Sequence, residues 1–275
     1  MPEATKESFS TPLQLNVKEI LRKRAPKIPS FVASLIARIV RQKDLNTLLR
    51  TAFPYAGFAF SEKILEALDI RLEMEGLENI PADGKLVFAS NHPLGGLDGI
   101  ALIALLGKRY GDNGIAFPVN DMLMNVRPLK EVFTPINKYG RQGRERAGSL
   151  SDTFRSDAHV IIFPAGLVSR LGKEGIRDLE WRKTFLTQAA ATDRTIVPIH
   201  FQARNRMRFY RLAQWRKRLR IPINIEQILL PSELVHCRHS TFRITFLPPV
   251  SPQELLQRHP TPRGAADALR NTLYN

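Results

Sequence analysis

The chain contains one cysteine in 275 residues, Cys237. That excludes an internal disulfide framework and fits a reducing compartment, with the thiol read as a small core residue. No stretch approaches the roughly 20 consecutive apolar residues that a membrane-spanning helix needs. The N-terminus lacks the basic-then-apolar plan of a signal peptide. No repeat of fixed period and no low-complexity tract is present. Acidic side chains are scarce, since 26 Asp and Glu stand against 41 Lys and Arg, a formal net charge of +15. A surface so charged attracts nucleic acid, anionic lipid headgroups or an acidic protein.

What is there describes a folded protein: 43% hydrophobic and 24% charged residues lie near globular averages. The length suits one large α/β unit with an appendage. Residues 1–70 read as a helical region, in which Phe31, Val32, Leu35, Ile36, Ile39 and Val40 share one helix face. That face is as well suited to packing on the main domain as to membrane contact. From residue 71 to 275 the pattern is α/β. Arg71–Glu75, Lys85–Ala89, Val160–Phe163, Ile196–Ile199 and Arg243–Leu247 have strand length and pattern. Helical segments lie between them, among them one opened by Asp98 and another over Trp181–Ala191, and a last helix is expected over Pro252–Leu273. A mixed α/β sheet flanked by helices follows.

Candidate chemistry gathers in Ser90-Asn91-His92-Pro93-Leu94-Gly95-Gly96-Leu97-Asp98-Gly99. A histidine leaves a strand end, two glycines permit a tight loop, and an aspartate starts the next helix, where the dipole favours a carboxylate. Folded back, Asp98 would hold one nitrogen of His92 and leave the other as a general base with a pKa near 6.5. On spacing alone, a helix cap and a satisfied polar residue explain such a pair more often than a dyad does.

The segment resembles the first motif of the PlsC-like glycerolphosphate and lysophospholipid acyltransferases, Asn-His, four residues, Asp. Three further blocks follow in family order. Pro135-Ile136-Asn137-Lys138 resembles Phe-Ile-Asp-Arg, Phe163-Pro164-Ala165-Gly166-Leu167-Val168-Ser169-Arg170 resembles Phe-Pro-Glu-Gly-Thr-Arg-Ser, and Ile196-Val197-Pro198-Ile199 matches the fourth. The likeness covers about Arg71 to Pro249. The wording of the first block is similar to a hemolysin-labelled bacterial subgroup, itself similar to the O-acyltransferases that complete ornithine and glycine lipids. The resemblance implies that His92 deprotonates a lipid hydroxyl as it attacks a thioester, with Asp98 fixing the imidazole. The substrate contacts it implies are Asn91, Gly95, Gly96, Lys138, Arg141, Phe163, Pro164, Gly166 and Arg170. Backbone N–H groups near Gly166 are candidate donors to the oxyanion. It also implies an acyl carrier protein or coenzyme A thioester as co-substrate, a lyso-lipid acceptor, no bound cofactor and no metal.

Three departures bear on the acceptor. Five residues instead of four separate His92 from Asp98, so Gly95 and Gly96 must absorb one. Ala165 and Val168 replace the glutamate and arginine of the third block, and Lys138 replaces the arginine of the second. The family holds glycerol phosphate with these blocks, so an amino-acid lipid acceptor is expected in its place. Lys138, Arg141, Arg144 and Arg170 remain as anion contacts, or as a solvated basic loop. The remaining histidines show no zinc-ligand spacing, including His236-Cys237-Arg238-His239, and no Gly-x-Ser-x-Gly elbow surrounds Ser169.

Between Arg204 and Arg220 lie eight basic residues and no acid, interleaved with Met207, Phe209, Tyr210, Leu212, Trp215 and Leu219. A basic amphipathic helix of this kind lies on anionic bilayers, and Trp215, Arg216, Lys217, Arg218 and Arg220 are the expected membrane contacts. Packing on the sheet or nucleic-acid binding explains the same pattern. The expected location is the cytoplasmic face of the inner membrane, held peripherally, with no nucleic-acid partner. The rival readings are acylation of lysophosphatidic acid or a lysophospholipid, a nucleic-acid-binding protein, and a membrane-lysing protein.

Overall fold

The computed structural model describes residues 11–24, 26–120, 123–135 and 148–274. Four helices come first, α1 (Val17–Arg24), α2 (Ser30–Ile39), α3 (Gln42–Thr51) and α4 (Gly57–Ala67). Then follow β1 (Arg71–Glu75), β2 (Leu86–Ser90), α5 (Gly96–Tyr110), β3 (Ile115–Val119) and β4 (Phe133–Pro135). The second half holds α6 (Gly148–Arg155), β5 (His159–Ile162), β6 (Arg170–Gly172), β7 (Gly175–Arg177), α7 (Thr184–Ala191) and β8 (Thr195–Gln202). It ends with α8 (Met207–Arg218), α9 (Leu230–His236), β9 (Thr241–Phe246), α10 (Pro252–Arg258) and α11 (Pro262–Thr272).

Seven strands form one sheet in the order β1-β9-β8-β2-β5-β3-β4. Every neighbouring pair is parallel except β8 with β9. β2 sits in the middle and is buried along its whole length, as a strand covered on both faces must be. Its alternate residues serve two cores. Leu86 and Phe88 face the layer that holds α4 and α5, whereas Val87 and Ala89 face Phe154, Phe185 and Leu269 of α6, α7 and α11. The helices before residue 71 contribute Leu48, Phe58, Phe60 and Ile64 to the first of these cores, so they share it with the sheet.

Two expected elements change in detail. Helix α7 starts at Thr184, because Trp181 is pinned outside it with its indole N–H donated to Asp178. The expected C-terminal helix is two, α10 and α11, each capped by its own side chain, Ser251 or Thr261, with proline in the first turn. Strands β2 and β5 end side by side, and the loops that follow them, starting at Asn91 and Phe163, bring the first and third sequence blocks together.

Candidate active site

Asn91 fixes the first loop to the sheet. Its side-chain amide donates to the Phe201 carbonyl at 3.0 Å and its side-chain oxygen accepts the Phe201 N–H at 2.7 Å, extending the ladder between β2 and β8 by side chain. Beyond it the loop reverses at Gly95, whose φ of +95° belongs to glycine. A Cβ there would also stand 3.3 Å from Leu230. That reversal accommodates the extra residue. Asp98, with a fully buried side chain, sits in the first turn of α5 with one carboxylate oxygen 3.0 Å from His92 Nδ1. The same oxygen accepts the N–H groups of Leu94 at 2.9 Å and Gly95 at 3.3 Å, and the other accepts that of Gly99 at 3.1 Å.

A carboxylate in this state only accepts, so the proton shared with Asp98 belongs to Nδ1 and the lone pair is left on Nε2. Burial pulls the His92 pKa down, but the charge and hydrogen bond of Asp98, with Asp178 behind, outweigh it and leave it above the ordinary value. The ring is still 18% exposed and stacks on Phe163 with centroids 4.1 Å apart. The result is a held imidazole with one face covered and one nitrogen available as a base.

The third block wraps the other side. The Ser169 N–H donates to the His92 carbonyl at 2.8 Å, and the Ser169 hydroxyl donates to Asp178 at 2.6 Å. The same Asp178 oxygen accepts the His92 N–H at 3.1 Å, and its second oxygen accepts from Trp181 at 2.9 Å. Ser169 and Asp178 meet because β6 and β7 form a hairpin between them. Burial pushes the Asp178 pKa up, and these donors hold it back only in part. Sequence reasoning missed this aspartate. The signal was Gly172-Lys173-Glu174-Gly175 between Leu171 and Ile176, a two-residue hairpin turn whose closure carries Asp178 to Ser169.

A family model described as acyltransferase matches residues 17–274. The chain belongs to that acyltransferase family. It is 42% identical over 264 residues to a lyso-glycine lipid O-acyltransferase of Phocaeicola vulgatus, covering 94% of each chain. A protein of the same description from Bacteroides thetaiotaomicron is 41% identical, with 94% of this chain and 96% of the relative covered. Among solved structures, the 1-acyl-sn-glycerophosphate acyltransferase PlsC of Thermotoga maritima superposes with a TM-score of 0.51 at 14% identity, over 94% of this chain and 92% of that one. At that identity the likeness speaks for the fold, a mostly parallel sheet flanked by helices.

In this acyltransferase the two altered positions of the third block are apolar and buried. Ala165 joins the core under α7, and Val168 packs with Phe209 and Tyr210. Neither offers a charge to a phosphate. Arg170, named above as a substrate contact, is engaged within the protein. It donates to Glu226 at 2.8 Å and to the Val168 carbonyl at 2.5 Å, and it lies over the Phe209 ring. The Gly166 N–H, an expected oxyanion donor, closes a turn onto the Phe163 carbonyl at 2.9 Å. Pro164 is buried, and its carbonyl accepts the Arg182 N–H at 3.1 Å. Gly96 opens α5 beside Leu234. Lys138, Arg141 and Arg144 lie outside the described residues.

The basic stripe also divides. The stripe holds no acid of its own, but the fold brings two to it. Arg206 and Arg208 pair with buried Glu233, and Arg216 pairs with buried Glu226 at 2.9 Å, leaving its side chain 15% exposed. Arg216, one of the expected membrane contacts, is thus held by an acid and largely covered. Lys217, Arg218 and Arg220 remain exposed, as do Trp215 and Leu219, while Phe209 and Tyr210 are buried.

Proposed function

We propose that this acyltransferase moves a fatty acyl group from an acyl carrier protein or coenzyme A thioester to the hydroxyl of a lyso-amino-acid lipid, with His92 as general base. Nε2 takes the hydroxyl proton as the oxygen attacks the thioester carbonyl. The C–O bond forms, the C–S bond breaks, and the imidazolium returns its proton to the departing thiolate. Asp98 holds the tautomer and stabilises the transient positive charge. The observation that carries this reading is the buried 3.0 Å contact between Asp98 and Nδ1, which leaves Nε2 free beside the third block.

The acceptor reading rests on the relatives, described as lyso-glycine lipid O-acyltransferases, and on Ala165 and Val168, which remove charge where the resembled motif has Glu and Arg. The +15 charge suits either donor, since acyl carrier protein and coenzyme A are both acidic. Attachment to an anionic bilayer goes with it. Among the described residues no helix is long and apolar enough to cross a membrane. Phe31, Leu35 and Ile39 nevertheless project from α2 at 73%, 51% and 38% exposure, and Trp215, Leu219 and Ile223 from the α8 region at 56%, 51% and 71%. Both α2 and α8 pack on the 3-10 turn Ile225–Leu229, and apolar side chains exposed on elements that also carry exposed basic residues suit an anionic bilayer.

Purified enzyme offered lyso-glycine lipid and lysophosphatidic acid with one donor tests the acceptor. Faster turnover of the amino-acid lipid is expected, and equal or faster turnover of lysophosphatidic acid would sink this reading.

A further inference from the structure

Arg182 lies against Gly166 of the third block, and among the described residues its charge has no partner. Its backbone is tied into the turn by the N–H donated to the Pro164 carbonyl at 3.1 Å. Its side chain folds over Gly166. A Cβ built on that glycine would lie 3.5 Å from Cζ, 3.6 Å from Nη2 and 3.7 Å from Nε. With the three distances nearly equal and Cζ the nearest, the glycine faces the flat of the guanidinium. The residue is exposed, and among the described residues no carboxylate or carbonyl accepts from its side chain. Three basic residues nearby in sequence or space, Arg170, Arg177 and Arg263, are by contrast paired with Glu226, Glu174 and Glu180.

The turn beneath Arg182 starts at Phe163, the ring that stacks on His92. A planar guanidinium held against the turn that also carries Phe163 matches a carboxylate better than a flexible ammonium does. Building on the acceptor proposed above, an amino acid joined to a fatty chain through its nitrogen keeps its carboxylate, while the hydroxyl to be acylated sits on that chain. We propose that Arg182 is the specificity-determining residue that binds this carboxylate, replacing the clamp lost at Ala165 and Val168.

The test compares lyso-glycine lipid with its methyl ester, which keeps the hydroxyl and loses the charge, in the parent enzyme, R182Q and R182K. The parent should prefer the free acid by about tenfold or more in kcat/KM, the scale of a charge-assisted hydrogen bond. R182Q should lose that preference through KM for the free acid while turning over the methyl ester as the parent does, and R182K should lie between them. R182Q that keeps the parent's preference would overturn the assignment. So would a raised KM for the donor with the preference intact, which would give the arginine to a phosphate of the thioester. If R182Q is inactive on both acceptors, binding of the two lipids to H92A and to H92A/R182Q decides, and equal selectivity in both overturns it. A parent enzyme that acylates neither lipid would instead remove the proposed acceptor.

Discussion

Asp178 accepts the backbone N–H of His92 at 3.1 Å, so a second buried carboxylate holds the imidazole-bearing loop from behind while Asp98 holds the ring. Asp178 touches no reacting atom; it positions. Asp178→Asn keeps the size but puts an NH2 in place of one oxygen, so either the Trp181 indole N–H or the His92 backbone N–H loses its acceptor. We expect kcat to fall about tenfold to a hundredfold, the scale of a small misplacement at a reacting centre, with KM nearly unchanged. A purely structural role predicts lower thermal stability with kcat intact, and the two parameters measured together separate these outcomes.

Asp98→Asn leaves the shape of the pocket but offers Nδ1 an ambiguous partner. The rate should drop steeply, by analogy with the about 10⁴-fold loss for the corresponding change in a serine protease triad. A loss of less than tenfold would mean that the Asp98 contact contributes little to the chemistry.

The pH profile follows from the direction of the His92 shift. Nε2 works as a base only when the imidazole is neutral, and the Asp98 charge outweighs desolvation to favour the protonated form. Activity should therefore rise with pH through a midpoint above the ordinary histidine value of about 6.5. Removing the Asp178 charge takes away part of that stabilisation, so the midpoint in Asp178→Asn should move down. A midpoint that moves up in that variant contradicts the electrostatic account.

Vesicle binding should divide along the two kinds of exposed residue. Replacing Lys217, Arg218 and Arg220 with glutamine should weaken binding to anionic vesicles by tenfold or more at low salt, since each cation near such a surface contributes about 1 kcal/mol. Phe31→Ser with Leu35→Ser should weaken it at every salt concentration. Neither set touches the His92 site, so turnover of detergent-dispersed substrate should hold in both. Co-sedimentation across a salt series reads both effects. Unchanged binding in both sets would move attachment elsewhere on the surface.

The parts legible in the sequence were those with a local signal. β2, β5, β8 and β9 show as short apolar or alternating runs, and the glycines between His92 and Asp98 announce the reversal that joins them. Asp178 was hidden because the partners that tie it to the site, Ser169 and His92, lie 9 and 86 residues away, across a hairpin of two three-residue strands. The pairing of Arg216 was hidden for a similar reason. The acids that the fold brings to the basic stripe, Glu226 and Glu233, follow it in the chain and reach it only when α9 and the preceding turn fold back on α8. Arg182 carries no pattern at all, and only the fold sets it over Gly166.

The most direct test of the central claim is a single-turnover reaction of H92A and the parent with acyl thioester and lyso-glycine lipid, read by mass spectrometry of the diacylated product. His92 lies in a loop and its ring is not part of either main core, so H92A should fold as the parent does by circular dichroism. The account predicts product from the parent and none above the uncatalysed rate from folded H92A. Product formation by H92A at the parent's rate would contradict it.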